Sequence, residues 1–137
     1  MKVNKDNLVF FQGRCFPENY RKYNEFPRAW KKEIRTVGKM GFKYIDLIYD
    51  KRDSLFEKLD KIIFFCKKTK IKINSVICDK FLNRRYAKSK KLFLKEIEFT
   101  INFLERKKIF SITLPFIEKN YLNYKDLIYI LNKLYLI

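Results

Sequence analysis

The sequence predicts an α/β fold made of four consecutive βα units. Short apolar runs alternate with longer segments whose apolar residues recur at helical spacing, and this alternation is typical of a parallel sheet covered by helices. Successive runs start roughly 30 to 40 residues apart, the length of a βαβ unit. The 137 residues suffice for one domain, and the three Gly and three Pro exclude linker-like and low-complexity classes.

The first unit begins with a predicted strand over Leu8–Gln12, which Gly13 closes. A long polar loop runs from Arg14 to Pro27, and loops of this length are usually functional or disordered. The first helix is predicted to start near Pro27, because proline suits a first turn where no backbone N–H is needed. We expect Gly41 to end this helix in a left-handed conformation.

The second unit has the clearest helix signal. Its predicted strand covers Lys43–Tyr49 and is closed by Asp50. Ser54 and Glu57 have the spacing of a capping box, in which each side chain binds a free N–H of the first turn. One apolar stripe follows at helical spacing: Leu55, Leu59, Ile62, Ile63 and Cys66.

The last two units follow the same order. A third strand is predicted over Ile71–Cys78, and a basic loop over Asn83–Lys91 precedes the third helix. The fourth strand is predicted over Phe110–Ile117, and Asn123 is expected to cap a final helix. The third helix has its own apolar stripe: Leu94, Ile97, Ile101 and Leu104.

Four such units allow two architectures. One is a small, open, doubly wound sheet, and the other is half of an eight-stranded barrel, which needs about 250 residues when complete. The chain has neither a GxGxxG nor a GxxxxGK[ST] motif, which counts against a nucleotide-binding doubly wound fold. Composition alone does not decide between the two.

The net charge of +17 would attract any polyanion. We attribute it mainly to genome composition, because Lys, Ile, Asn, Phe and Tyr, which AT-rich codons encode, are abundant throughout. The chain has 24 Lys against 8 Arg, and the Lys are scattered, whereas selection for phosphate recognition would favour Arg. We therefore expect nucleic acid not to be a partner, and a basic nucleic-acid-binding or adaptor module is the alternative function.

Cysteine and histidine usage excludes several kinds of site. The three Cys include no CxxC pair, and the chain has no His, which removes His-dependent triads and HExxH metal sites.

The longest apolar stretches fall far short of the roughly 20 residues that span a bilayer, and the N-terminus lacks an apolar signal run. We therefore expect a cytoplasmic protein with no membrane partner.

Ligands of parallel α/β folds bind beyond the carboxyl ends of the strands. Carboxylates there could accept hydroxyl protons or reach a hard metal, and an arginine could hold a phosphate. Their structural roles, as helix caps or solvated loop residues, remain open. The candidates at these ends are Gln12, Gly13, Arg14, Asp46, Asp50, Cys78, Asp79, Pro115, Phe116 and Glu118.

Several stretches resemble a group of sugar phosphate isomerases/epimerases. Phe11–Pro17, FQGRCFP, resembles the MQGRLSP opening of that group. Gly41–Leu47, GFKYIDL, is similar to GFDGIEL, with Asp46 where the family usually has Glu. Ile73–Asp79, INSVICD, resembles the start of VNSVCADYF, and Ile112–Phe116, ITLPF, resembles IVLPF.

A fifth stretch lies between the first two. Phe26 and Pro27, with Trp30 and Glu33, are similar to the FP…W..E start of the family's first helix. The five stretches occur in the family's order, and the resemblance covers the chain from about Leu8 to Leu134. The resemblance implies the N-terminal half of a xylose isomerase-like TIM (β/α)8 barrel, truncated after the fourth βα unit.

The resemblance implies a divalent-metal enzyme, with Mn or Mg, that moves a proton beside the carbonyl of a small sugar or sugar phosphate. The family's metal ligands come from strands five to eight, so we expect no cofactor and no catalysis from this chain alone. A truncated reading frame, a second half-barrel chain and self-association all remain open. The resemblance places these residues near the substrate: Gln12, Arg14, Asp46, Cys78, Asp79 and Phe116, with Glu118 added as a carboxylate at the same strand end.

Overall fold

The computed structural model describes residues 8–13, 15, 29–49, 55–82, 86 and 88–114 of the chain. They form a four-stranded parallel sheet with strand order β1-β2-β3-β4, accompanied by three α-helices. The predicted α/β class and the sequential, parallel arrangement of the strands are confirmed. The strands are β1 Val9–Phe11, β2 Tyr44–Ile48, β3 Lys72–Ile77 and β4 Ile112–Thr113, and the helices are α1 Trp30–Lys39, α2 Leu59–Lys68 and α3 Lys90–Arg106.

The end of α1 agrees with the prediction, whereas the start of α2 differs from it. Gly41 has a φ of 86°, the left-handed conformation expected after α1. α2 begins at Leu59, because a turn at Glu57 and Lys58 follows the helical residues Leu55 and Phe56. The Phe56 ring stacks on two other rings, at centroid distances of 4.6 Å to Tyr49 and 4.0 Å to Phe103. This packing fixes the turn before α2.

The third helix begins inside the predicted basic loop. The Ser89 side chain accepts a hydrogen bond from the Leu92 N–H and caps α3, so Lys90 and Lys91 are helical. The predicted fourth strand is described as far as Leu114, with its ladder at Ile112–Thr113. The predicted final helix at Asn123 lies outside the described residues.

One hydrophobic cluster joins all three helices to a single face of the sheet. Side chains alternate between the two faces along a strand, and Ile45, Leu47 and Val76, each at most 1% exposed, belong to this cluster. Ile48 and Ile77 point to the other face and are buried outside the cluster. The helical members are Trp30, Ile34, Val37, Leu59, Ile62, Cys66, Phe93, Ile97 and Leu104. The three helices therefore cover the same face.

None of the helices in the described ranges is both long enough and apolar enough to span a membrane.

Candidate functional site

A row of hydrogen-bonded polar side chains crosses three strands on the face opposite the helices. We call Asp46, Asn74, Ser75 and Thr113 the polar row. Asp46 Oδ1 accepts hydrogen bonds from Asn74 Nδ2 and Ser75 Oγ, both at 2.8 Å. Ser75 Oγ also lies 3.4 Å from Thr113 Oγ1. Because Ser75 gives its one hydroxyl proton to Asp46, Thr113 is the donor in that contact.

A β-bulge brings the first three members of the polar row together. Ile45 of β2 pairs with Ile73 of β3, but the next β2 residue, Asp46, pairs with Ser75. β3 therefore has one extra residue, Asn74, and both Asn74 and Ser75 reach the same carboxylate oxygen. Bulges of this kind are frequent next to active sites because they redirect side chains.

The polar row has unused hydrogen-bonding capacity. Asp46 is half-buried, whereas Asn74 and Thr113 are exposed. Within the described part of the chain, no hydrogen bond reaches the second carboxylate oxygen of Asp46, Oδ2. A carboxylate can accept several hydrogen bonds, so Oδ2 is available to a ligand hydroxyl.

Gln12 links the carboxyl end of β1 to β2 through two hydrogen bonds. Its backbone N–H donates to the Asp46 carbonyl at 3.1 Å, and its Oε1 accepts from the Ile48 N–H at 3.0 Å. The residue is 2% exposed, and its buried Nε2 has no hydrogen-bond partner among the residues that the structure describes. An unused buried donor costs roughly 1–3 kcal/mol, which a ligand oxygen or a bound water would recover.

Glu33 of α1 holds the backbone that follows β1. It is 1% exposed, and its Oε1 accepts hydrogen bonds from the Gly13 N–H at 2.7 Å and the Cys15 N–H at 3.3 Å. Hydrogen bonds to a carboxylate are stronger than those between neutral groups. Helix α1 thereby fixes the start of the long loop that follows β1.

The pKa of Cys15 gives a test of this arrangement. Burial, and secondly the negative charge of Glu33, raise the pKa of the Cys15 thiol to about 11. Glu33→Gln removes the charge, so we expect a lower Cys15 pKa and several-fold faster alkylation by iodoacetamide at mildly alkaline pH, since the thiolate is the nucleophile. Peptide mass spectrometry would follow each cysteine separately.

The two other cysteines serve as internal controls for that measurement. Burial raises the pKa of Cys66 and of Cys78 to about 12, and neither lies beside Glu33. Both should stay slow in the variant. An unchanged Cys15 rate with Cys66 still protected would contradict the role assigned to the Glu33 charge, whereas acceleration of all three would report unfolding.

Two further sequence-predicted site residues, Cys78 and Asp79, follow β3. Cys78 is fully buried in the hydrophobic cluster, and its Sγ lies 3.7 Å from the Val76 carbonyl, so its thiol is part of the core. Asp79 is half-buried and begins the 3₁₀ turn Asp79–Leu82 that follows β3. These candidates lie outside the described residues: Arg14, Asp50, Pro115, Phe116 and Glu118.

An ion pair that the sequence does not predict joins the 3₁₀ turn to α3. Lys80 Nζ lies 2.6 Å from Glu96 Oε2 and donates to Tyr49 Oη at 3.0 Å. Burial lowers the pKa of Lys80, but the hydrogen bonds with Glu96 and Tyr49 outweigh burial and hold that pKa above its ordinary value. Lys80 is 7% exposed, and among 24 lysines nothing in the sequence marks it as buried.

The described residues do not fit a divalent-metal centre. They contain no group of three or more His, Cys, Asp or Glu side chains that could hold a metal ion. Asp46 is the one carboxylate of the polar row, whereas hard divalent cations require several oxygen ligands. What the polar row offers is a set of hydrogen-bond donors and acceptors.

The chain matches no protein-family model, and neither the curated proteins nor the solved structures contain a significant match to it.

Proposed function

We propose that the chain forms the N-terminal half of a TIM (β/α)8 barrel of the sugar phosphate isomerase/epimerase type and supplies one wall of its substrate site. The sequential order of four parallel strands supports this, as does the cover of one sheet face by all three described helices. A TIM barrel has its helices in one outer ring and the opposite strand faces inside. A doubly wound sheet has helices on both faces.

The polar row is the observation that carries the proposal. It places a carboxylate, two hydroxyls and an amide on the face without the described helices, the face that would line a barrel interior. A sugar presents several hydroxyls, each both a donor and an acceptor of hydrogen bonds. Asp46 Oδ2 would accept a sugar hydroxyl proton, and the exposed Thr113 and Asn74 would contact neighbouring hydroxyls.

The start of the loop after β1, at Gly13, would form one side of this site. Glu33 and Gln12 hold its backbone against α1 and β2, and the unused Gln12 Nε2 would donate to a ligand oxygen. Arg14 belongs to the same loop, and the sequence makes its guanidinium the candidate for binding a phosphate.

Catalysis would require four further βα units, on this or another polypeptide or in a second copy. The divalent metal and the base that abstracts the proton would come from that half, because the described residues provide no metal-ligand set. This chain would then bind the sugar phosphate and orient its hydroxyls.

Comparison of two aspartate variants tests the proposal. Fructose 6-phosphate, titrated against the purified chain and followed by ligand-observed NMR, should bind weakly. Asp46→Asn should weaken this binding by about tenfold, the usual loss for a hydrogen bond to a charged group. Asp60→Asn makes the same change of charge on the exposed surface of α2 and should leave the affinity unaltered.

Fructose 6-phosphate is an anion, so removing any negative charge from the chain alters its attraction to the ligand. Asp60→Asn controls for this effect because it removes one negative charge, as Asp46→Asn does. Equal effects of the two variants would show that binding depends on net charge alone. Unaltered binding by Asp46→Asn would remove Asp46 from the site. Either result would contradict the proposal.

A further inference from the structure

A second surface lies between α1 and α2 on the helical side of the sheet, away from the polar row. It is a groove of about 590 Å³. We call it the basic-aromatic groove, and its defining residues are Trp30, Lys31, Arg35, Lys61, Phe64 and Lys68.

The charge of the groove is strongly positive. Lys31 and Arg35 are one helical turn apart on α1, and Lys61 and Lys68 lie two turns apart on α2, so each pair shares one helix face. All four are exposed. The acidic residue in the lining, Asp60, is bound by Lys107, whose Nζ lies 2.7 and 2.8 Å from its two oxygens.

Aromatic rings lie between these cations. Phe64 is 60% exposed, a large apolar area to leave in water. Trp30 and Phe65 meet edge to face at a centroid distance of 5.5 Å and form a rigid part of the lining. Each ring has a cation beside it, with Lys68 Nζ 4.7 Å from the centre of the Phe64 ring and Arg35 5.1 Å from that of Phe65.

Against the expectation drawn from the scattered lysines, we propose that the basic-aromatic groove binds single-stranded nucleic acid, with an unpaired base stacked on Phe64 and the flanking phosphates on the four cations. Proteins that bind single strands combine a basic groove with aromatic rings, because every base has a flat face and every nucleotide a phosphate. A duplex keeps its bases paired and stacked inside, so it could not place one on Phe64. A membrane surface is flat and offers no ring to stack on Phe64.

A second basic groove serves as a comparison for binding by positive charge without aromatic stacking. It has about 320 Å³ and is lined by cations that include Lys67, Lys72, Lys107 and Lys108, but by no aromatic ring. Attraction of polyanions to the +17 chain would act at both grooves. Of these two grooves, only the basic-aromatic groove has rings on which a base can stack. The proposal therefore predicts that binding of a single strand depends on the basic-aromatic groove.

The first part of the test concerns the ring. Fluorescence anisotropy with labelled octamers of thymidylate and of uridylate separates DNA from RNA as the source of the strand. Phe64→Ala should weaken binding of at least one octamer by about tenfold, the usual loss of one stacked base. Phe110→Ala, which removes a ring that is 80% exposed elsewhere, should leave binding unaltered. Equal effects of these two variants would overturn the proposal.

The second part concerns the charges. Lys67 and Lys68 are consecutive exposed residues in the last turn of α2, but Lys68 lines the basic-aromatic groove and Lys67 the other groove. Lys68→Glu should weaken octamer binding at least fivefold more than Lys67→Glu, although both lower the net charge by two. For about four phosphate contacts, the logarithm of affinity should fall with that of salt with a slope of about −3. Equal losses in the two variants would mean non-specific attraction and would overturn the proposal.

A vesicle experiment decides between strand and membrane. Liposomes containing phosphatidylserine should bind without dependence on Phe64. A Phe64-dependent association with these liposomes, together with octamer binding that ignores Phe64, would assign the groove to an anionic membrane and overturn the proposal.

Discussion

Phe93→Ala should lower the free energy of unfolding by about 4 kcal/mol, the cost of deleting a large ring from a packed core. Phe93 is 1% exposed and packs its ring against two others, at centroid distances of 5.0 Å to Phe81 and 6.4 Å to Tyr86. The cavity left by the deletion would remove the packing that joins α3 to the 3₁₀ turn after β3. Urea unfolding, followed by circular dichroism, would measure the change.

Phe110→Ala is the matched control for that deletion. The Phe110 ring is 80% exposed, so its removal should change the free energy of unfolding by less than about 0.5 kcal/mol. A loss below about 1 kcal/mol for Phe93→Ala would mean that this ring cluster does not hold α3 against the sheet.

Glu96→Gln should lower the free energy of unfolding by about 3 kcal/mol, because it leaves the buried Lys80 ammonium without its counter-charge. The side chains of Lys80 and Glu96 are only 6% and 19% exposed, so water compensates little for the lost charge. Glu98→Gln makes the same change at an exposed position on α3 and should cost less than about 0.5 kcal/mol. Equal losses in the two variants would contradict a stabilising role for the pair.

The pH dependence of this pair has a definite sign. The folded-state pKa of Lys80 lies above its ordinary value of 10.5, so the folded chain binds that proton more tightly than the unfolded chain does. The resulting stability is fully present below pH 10.5 and is lost as the pH rises through the folded-state pKa. Tyr49 and Tyr86 act on the same ammonium, so the informative quantity is the difference between the wild type and Glu96→Gln. That difference should shrink above pH 10.5.

The sequence predicts β2 and β3 to within one residue at each end, because short apolar runs bounded by turn residues are typical of buried strands. The predicted strand Lys43–Tyr49 corresponds to β2 at Tyr44–Ile48, and Ile71–Cys78 corresponds to β3 at Lys72–Ile77. The turn before α2 was not predictable, because it depends on the stacking of Phe56 against Phe103, which lies far along the chain on α3.

The candidate site was predictable only in part. Asp46 could be selected because it is a carboxylate on a predicted strand. Its partners Asn74 and Ser75 could not, because the bulge at Asn74 sets the register that brings both to its carboxylate. The contact of Ser75 with Thr113 depends on how β3 and β4 pair. Gln12 was expected at the carboxyl end of β1, but its bond to the Ile48 N–H depends on how β1 and β2 pair.

The proposed function makes the face opposite the described helices one wall of a sugar phosphate site. Its most direct test is to map backbone amide shifts in ¹⁵N-labelled chain during titration with fructose 6-phosphate, with inorganic phosphate as the reference anion. The claim predicts shifts specific to the sugar at Gly13, Ile48 and Ser75, because these amides adjoin Gln12 and the polar row. Sugar-specific shifts confined to α1 and α2, or none beyond those caused by phosphate, would contradict it.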